Sequence, residues 1–146
     1  MSSKLDRLIA SYNSMECEFN VDKSIEVCKE ILKINPNLIE FQENLACDYY
    51  NNKEYEKSIP LLEYVLQNGK NYSMNEYEEV LQKYFISCVK SNQNSKVIEL
   101  FQKIDLSKFS SDVVLNLTFY AANAYEENKD FENAFNLYKK IIDSRD

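Results

Sequence analysis

The sequence predicts an all-α fold of about eight helices paired as antiparallel hairpins. Three observations carry this. The 146 residues include one glycine and two prolines, too few for the many tight turns of an all-β fold. Apolar residues recur at three- and four-residue spacing, and no run alternates apolar and polar for long. Third, Asn116 to Ile142 holds two helical patterns parted only by Glu127-Asn128-Lys129-Asp130. The first pattern carries Ala121, Ala122 and Tyr125; the second carries Phe131, Ala134, Phe135, Tyr138 and Ile141. Small residues on both helices let the two backbones approach, and aromatics one turn away fill the space that remains.

Each element has its own signals. Ser3-Lys4-Leu5-Asp6 reads as a capping box ahead of Leu5, Leu8, Ile9 and Tyr12, in a helix that fades near Cys17. Asn20 caps a second helix with Val21, Ile25, Cys28 and Ile31 on its stripe, and Asn35-Pro36-Asn37 ends it. Leu38 opens a third, with Phe41, Leu45, Ala46 and Tyr49 in phase up to a break at Asn51-Asn52. The fourth runs from Tyr55 through Ile59, Leu62 and Val65. Pro60 is expected in its first turns, where a missing N–H costs least, and Gly69 is expected as its left-handed C-terminal cap. Ser73-Met74-Asn75-Glu76 is a further capping box, before a fifth helix with Val80, Leu81, Tyr84, Phe85 and Cys88. The sixth, from about Ser95, carries Val97, Ile98, Leu100, Phe101 and Ile104; Ser110 or Ser111 caps the seventh.

Superposing the hairpins exposes a repeat. The small residue of each second helix is Ser24, Ser58, Val97 and Ala134, with a first step of 34 residues and later steps of 39 and 37. The excess falls at Asn68–Ser73 and Leu106–Ser110, between hairpins, where insertions are tolerated. Met15, Tyr49, Cys88 and Tyr125 share one place, and Cys28, Leu62, Phe101 and Tyr138 another. This spacing resembles the tetratricopeptide repeat, in four degenerate copies near residues 5–36, 39–70, 78–109 and 115–146 of a single domain spanning 1–146. Two departures stand out. The family's tryptophan place holds Leu8, Gln42, Leu81 and Thr118, and its glycine place holds Tyr12, Ala46, Phe85 and Ala122. Aromatics at the small place should splay the first and third helix pairs.

The resemblance implies a right-handed α-solenoid whose concave face, lined by first helices, binds a partner. The residues it assigns to that face include Asn13, Asn44, Cys47, Tyr50, Gln82, Lys83, Ile86, Val89, Phe119, Tyr120 and Asn123, with Ile9, Cys17, Glu40, Glu43, Glu79 and Glu126 around them. Aromatics and amides in this mixture suit an extended peptide or an amphipathic helix. Some family members clamp a C-terminal carboxylate with paired lysines; Ile9 and Glu79 stand at those places here, so that clamp is not expected to work. Acidic Glu40, Glu43, Glu126 and Glu127 favour a neutral or basic ligand.

Composition narrows the function further. A net charge of −7 and only two arginines disfavour nucleic acid. No apolar run approaches the ~20 residues of a membrane span, and the N-terminus lacks a signal-peptide core, so a cytoplasmic setting is expected. The chain has no histidine, no Gly-rich phosphate loop and no C-x-x-C among Cys17, Cys28, Cys47 and Cys88. Catalysis, cofactor and metal are therefore not expected, and pairs such as Glu78-Glu79 read as solvated helix faces. The expected role is a non-catalytic protein- or peptide-binding adaptor. The alternatives are an oligomerisation module of a larger assembly and a sensor of a small signalling peptide. The family usually covers its last hairpin with an extra polar helix, and here the sequence stops at Asp146, so Phe135 and Ile142 are expected to lack cover: a tolerated exposed face, a homodimer surface, or a cut from a longer protein.

Replacing the small residue of the last hairpin tests the pairing. Ala134→Leu should overpack it and cost about 1–3 kcal/mol by urea denaturation; an unchanged midpoint would break the assignment.

Overall fold

The computed structural model describes residues 3–144, and for Met15 and Glu16 the backbone only. Met15, assigned above to the tyrosine row, thus has a side chain outside the described residues. Among those residues all regular structure is helical: α1 Lys4–Tyr12, α2 Met15–Glu18, α3 Val21–Ile34, α4 Ile39–Asn51, α5 Tyr55–Asn68, α6 Met74–Lys90, α7 Asn94–Lys103, α8 Ser111–Glu127 and α9 Phe131–Asp143. A 3₁₀ turn, Leu106–Lys108, follows α7. Consecutive helices pack on one another within two compact units, one ending at Asn71 and the other beginning at Tyr72. The division falls in the Asn68–Ser73 connection, where the repeat spacing lengthens. No described helix is long and apolar enough to cross a membrane.

The caps follow the sequence signals. Ser3 Oγ accepts from the Asp6 amide while Asp6 Oδ2 accepts from the Ser3 amide, closing the capping box. Asn20 caps α3 through the Lys23 amide, and Ser73 Oγ accepts from the Glu76 amide, one half of the capping box expected there. Ser110 is the N-cap of α8, but its hydroxyl does not cap its own helix. Instead its N–H donates to Glu78 Oε1 at 3.1 Å. Glu78 is therefore not a solvated residue of α6: it is buried, and its carboxylate sits at the positive end of α8.

Three hairpins, α4–α5, α6–α7 and α8–α9, close with the same three-residue turn. Lys53, Asn92 and Lys129 each take a left-handed conformation, with φ of 61°, 61° and 63°. The next amides, of Glu54, Gln93 and Asp130, reach back to the carbonyls of Tyr49, Cys88 and Tyr125 at 2.8–2.9 Å. Lys53, Asn92 and Lys129 bond Tyr50, Val89 and Glu126 in the same way. This is the Schellman arrangement, which satisfies the last carbonyls of the first helix. The residue whose amide closes the longer bond, Glu54, Gln93 or Asp130, is also the N-cap of the next helix, so the turn itself reverses the chain.

Gly69 does not supply a left-handed cap. Its φ is −83° and its amide makes an ordinary bond to Val65 O, because the chain leaves α5 for a longer connection and not for a hairpin turn. Pro60 also departs from expectation. It is the sixth residue of α5, beyond the first-turn amides that lack helical partners, so it removes a bond to the Glu56 carbonyl. Both residues are exposed, which leaves that carbonyl to water. Ile104 lies just past α7 in extended conformation.

The small places are buried throughout: Ser24, Ser58, Val97 and Ala134, each 5 % exposed or less. On the first helices Ala46 and Ala122 are fully buried as well, and α4–α5 and α8–α9 pack closely. Phe85 occupies the same place in α6 and is also fully buried, and α6 touches α7 more sparsely. In the first unit Tyr12 stands there, half-buried, with its ring edge-on to Phe41 at 5.4 Å.

The left-handed lysines make a direct test. Lys129→Gly should stabilise the fold by about 0.5–1 kcal/mol in urea denaturation, since glycine takes positive φ freely. Gly69→Ala, at negative φ, should be neutral or mildly stabilising. Destabilisation by more than about 1 kcal/mol in the second case would restore a left-handed cap at Gly69.

Candidate functional site

In the second unit, two hydrogen bonds fix how the first helices of the hairpins run. Ser110, at the start of α8, reaches Glu78, and Asn116 Nδ2 donates to Gln82 Oε1 at 2.9 Å. Both contacts advance along both helices together, so α6 and α8 are parallel neighbours. Continued by one and two turns, the 34-residue register sets Ile86 level with Tyr120 and Val89 level with Asn123. Gln82, Lys83, Ile86, Val89, Tyr120 and Asn123 are all half-buried and Phe119 is 47 % exposed. The opposite sides of α6 and α8, carrying Leu81, Phe85, Leu117 and Ala121, are fully buried. The unit thus brings seven of the sequence-predicted residues onto one accessible face.

The α8 part of that face is organised by a residue not assigned to it from the sequence. Tyr138 of α9 stood there only as a packing residue. Its ring lies 6.2 Å from Phe119, which meets Tyr120 edge-on at 5.7 Å. Its hydroxyl lies 2.9 Å from Glu126 Oε1 and 2.5 Å from the Asn123 amide oxygen position. A phenol has one proton, so donation to the Glu126 carboxylate leaves its oxygen to accept from Asn123, whose amide then turns Nδ2 toward it. Burial, and next the Glu126 carboxylate, push the Tyr138 pKa up to about 12, so this bridge persists through neutral pH. Asn123 and Glu126 are thereby held in place at the edge of the aromatic surface.

In the first unit Asn44, Cys47 and Tyr50 are half-buried on one side of α4, opposite Phe41, Leu45 and Tyr49. Tyr50 packs edge-on against Tyr55 at 5.6 Å. Asn13 does not join them as a helix-face residue. It is the C-cap of α1, its amide bonded to Ile9 O at 3.1 Å. Asn13 instead borders a cavity of about 310 Å³ with Tyr12, Ser14, Cys17, Ser24 and Asp48. Ser24 Oγ donates to Asp48 Oδ2 at 2.5 Å across α3 and α4. No local sequence pattern signals this pairing of residues 24 apart.

Electrostatics in this corner follow from burial. The Asp48 pKa is raised by desolvation, against the lowering effect of its bond from Ser24. Burial raises the Cys28 thiol to about 12, with Asp48 adding to it. Tyr12 rises to about 12 by burial and then by its proximity to Cys28 and Asp48. All three groups are held toward their neutral forms. No disulfide joins the four cysteines among the described residues; Cys17, Cys28 and Cys88 are buried and Cys47 is half-buried.

A second concavity, of about 500 Å³, lies between α7 and α9 in the second unit, lined by Gln102, Tyr125, Asn133, Asn136 and Lys139. Gln102 Nε2 donates to the Tyr125 hydroxyl at 3.1 Å. Sequence periodicity marks these α9 positions only as solvated.

The raised thiol makes stability fall in alkali. A neutral acid whose folded pKa exceeds its unfolded value stabilises the fold fully below the unfolded pKa and loses that effect as pH rises toward the folded one. For Cys28 the window runs from 9.0 up to about 12. Between pH 8 and 10.5 the protein should lose about 1–2 kcal/mol more than Cys28→Val does, measured by urea denaturation. Parallel pH profiles would remove Cys28 as the cause.

In comparisons with known proteins, no family model matches the chain and no curated protein matches it.

Proposed function

We propose that the chain is a non-catalytic, tetratricopeptide-like adaptor that binds a protein or peptide on the first-helix face of its hairpins. The single observation that carries this is the aromatic surface of the second unit. Phe119 is about half exposed beside Tyr120, with Ile86 and Val89 on the parallel helix and Asn123 fixed at its edge by Tyr138. Aromatic anchors flanked by fixed polar groups are the composition of binding hot spots. The repeated Schellman turn and buried small places support the tetratricopeptide reading, and with it a right-handed solenoid. Phe85 at the family's glycine place is the main departure.

The ligand this face suits is an extended or helical segment with apolar side chains and neutral or basic charge. Exposed Glu79 and Glu126 and the net charge of −7 disfavour acidic ligands, nucleic acid among them. A cytoplasmic adaptor needs no cofactor and no membrane contact.

Selection of random 16-residue peptides displayed on phage against the full chain tests the reading. Enriched peptides should be apolar and neutral or basic. Phe119→Ala or Tyr120→Ala should each weaken their binding ~10–30-fold, with helicity by circular dichroism unchanged. Failure to enrich any peptide, or binding indifferent to both substitutions, would overturn the proposal.

A further inference from the structure

Helix α9 presents an apolar stripe to solvent that its counterparts do not. Phe131, Phe135 and Ile142 are 63 %, 66 % and 67 % exposed. At 3.6 residues per turn they line up with Tyr138 on one face, beside the face that Ala134 and Leu137 bury. The repeat places of Phe135, Tyr138 and Ile142 are held in α3 by Ile25, Cys28 and Leu32. There Ile25 and Cys28 are buried and Leu32 is half-buried, and α4 packs against that helix. In α7, Ile98 and Phe101 are partly covered, with α8 packed alongside. This face of a second helix is thus one that another helix covers, and on α9 it is open.

From the charges that border the stripe we infer that α9 pairs antiparallel with α9 of a second copy. Placed about a two-fold axis near its midpoint, Phe131 meets Ile142 of the partner subunit and Phe135 meets Tyr138 of the partner subunit. On the flank away from α8 the exposed charges are Glu132, Lys139 and Asp143, with Lys129 just ahead of the helix. The same axis brings Glu132 to within about 3 Å, along the helix, of the level of Lys139 of the partner subunit. It also brings Lys129 near the level of Asp143 of the partner subunit. The symmetry makes each match twice, so the flank is complementary to itself. On the other flank Glu126 is engaged by Tyr138.

The area sets the strength. Apolar side chains two-thirds exposed leave on the order of 100–150 Å² each to bury. With their flanks, two copies cover roughly 800–1,000 Å², below the standard interface of ~1,200–2,000 Å². Pairing should therefore be weak and concentration-dependent, with Kd in the range of about 10–500 μM.

This inference concerns α9 and does not rest on the proposed function; the two surfaces meet at Tyr138, whose ring borders Phe119. Analytical ultracentrifugation of the full chain over that concentration range should show a monomer–dimer equilibrium. E132K and K139E, both solvent-exposed changes, should each weaken it at least ~10-fold at low salt by setting like charges opposite one another. An equimolar mixture of the two variants should restore association, because the E132K chain offers two cations to the two anions of the K139E chain. Phe135→Glu should abolish it in every combination. A monomer at every concentration, unchanged dimerisation in the single variants, or a mixture no better than either alone would overturn the pairing. Phage-selected peptides that still bind such a monomer would show that only the pairing had failed. A dimer that binds no peptide would show that only the adaptor reading had failed.

Discussion

Two helix backbones can lie close together only where no long side chain stands between them, and the rest of this structure depends on that contact. The α4–α5 and α8–α9 hairpins, which pack closely, carry buried small residues on both helices: Ala46 and Ser58, and Ala122 and Ala134, all four at 3 % exposure or less. The Schellman turns make such packing possible by reversing the chain within three residues and starting the second helix in a set phase. Once α8 and α9 are close, Tyr138 can reach Asn123 and Glu126 and its ring can meet Phe119. The accessible aromatic face on α8 therefore rests on the close packing of two helices whose small residues are buried.

The third hairpin shows what happens when this constraint is relaxed. Phe85 stands at the small place, and α7 is a ten-residue helix, shorter than α5 or α9. Asn94 takes the place that Tyr55 and Phe131 occupy elsewhere, and its buried Oδ1 accepts no hydrogen bond among the described residues. An unsatisfied buried carbonyl costs about 1–3 kcal/mol. What offsets this looseness lies outside the hairpin: α6 is tied to α8 through Glu78–Ser110 and Gln82–Asn116. The parallel contact between first helices, which builds the candidate face, thus also steadies the weakest pair.

Much of this was legible in the sequence because periodicity and capping are local. The Ser3 and Asn20 caps, the break at Asn51-Asn52 and the buried rows at Ser24, Ser58, Val97 and Ala134 all follow from residues within a few positions of one another. The three hairpin turns were placed correctly, but their chemistry was hidden, and the first helix, expected to fade near Cys17, ends at Tyr12 with a break at Asn13-Ser14 before a separate short helix. Glycine is the usual signal for positive φ, and here two lysines and an asparagine adopt it while the one glycine does not. What decides this is where the chain must reverse into the next helix through the Schellman bonds, closely packed or not, and residue type alone does not mark that place. Glu78 and Asp48 were misjudged or passed over because their partners, Ser110 and Ser24, are 32 and 24 residues away. Of the candidate site, the first-helix rows came only from the resemblance to the tetratricopeptide repeat. Tyr138 was not assigned to it, because a residue on a second helix reads as packing until its hydroxyl is seen to reach across.

Exposure on α9 has meaning only by comparison within the molecule. A single exposed phenylalanine is common on a protein surface and carries no information. Phe135 differs because the repeat assigns it the place of Ile25 and Ile59, and those residues are 8 % and 1 % exposed. The same comparison explains the chemistry at the neighbouring place. Cys28 and Leu62, both fully buried, stand where Tyr138 stands in α9. A thiol or an aliphatic chain suits a place that another helix seals. A phenol suits one at the border of sealed and open surface, where its ring packs on Phe119 and its hydroxyl finds Glu126. The α8–α9 hairpin thus repeats the backbone of the earlier ones while its second helix carries aromatic side chains at places that are aliphatic or thiol in α3 and α5.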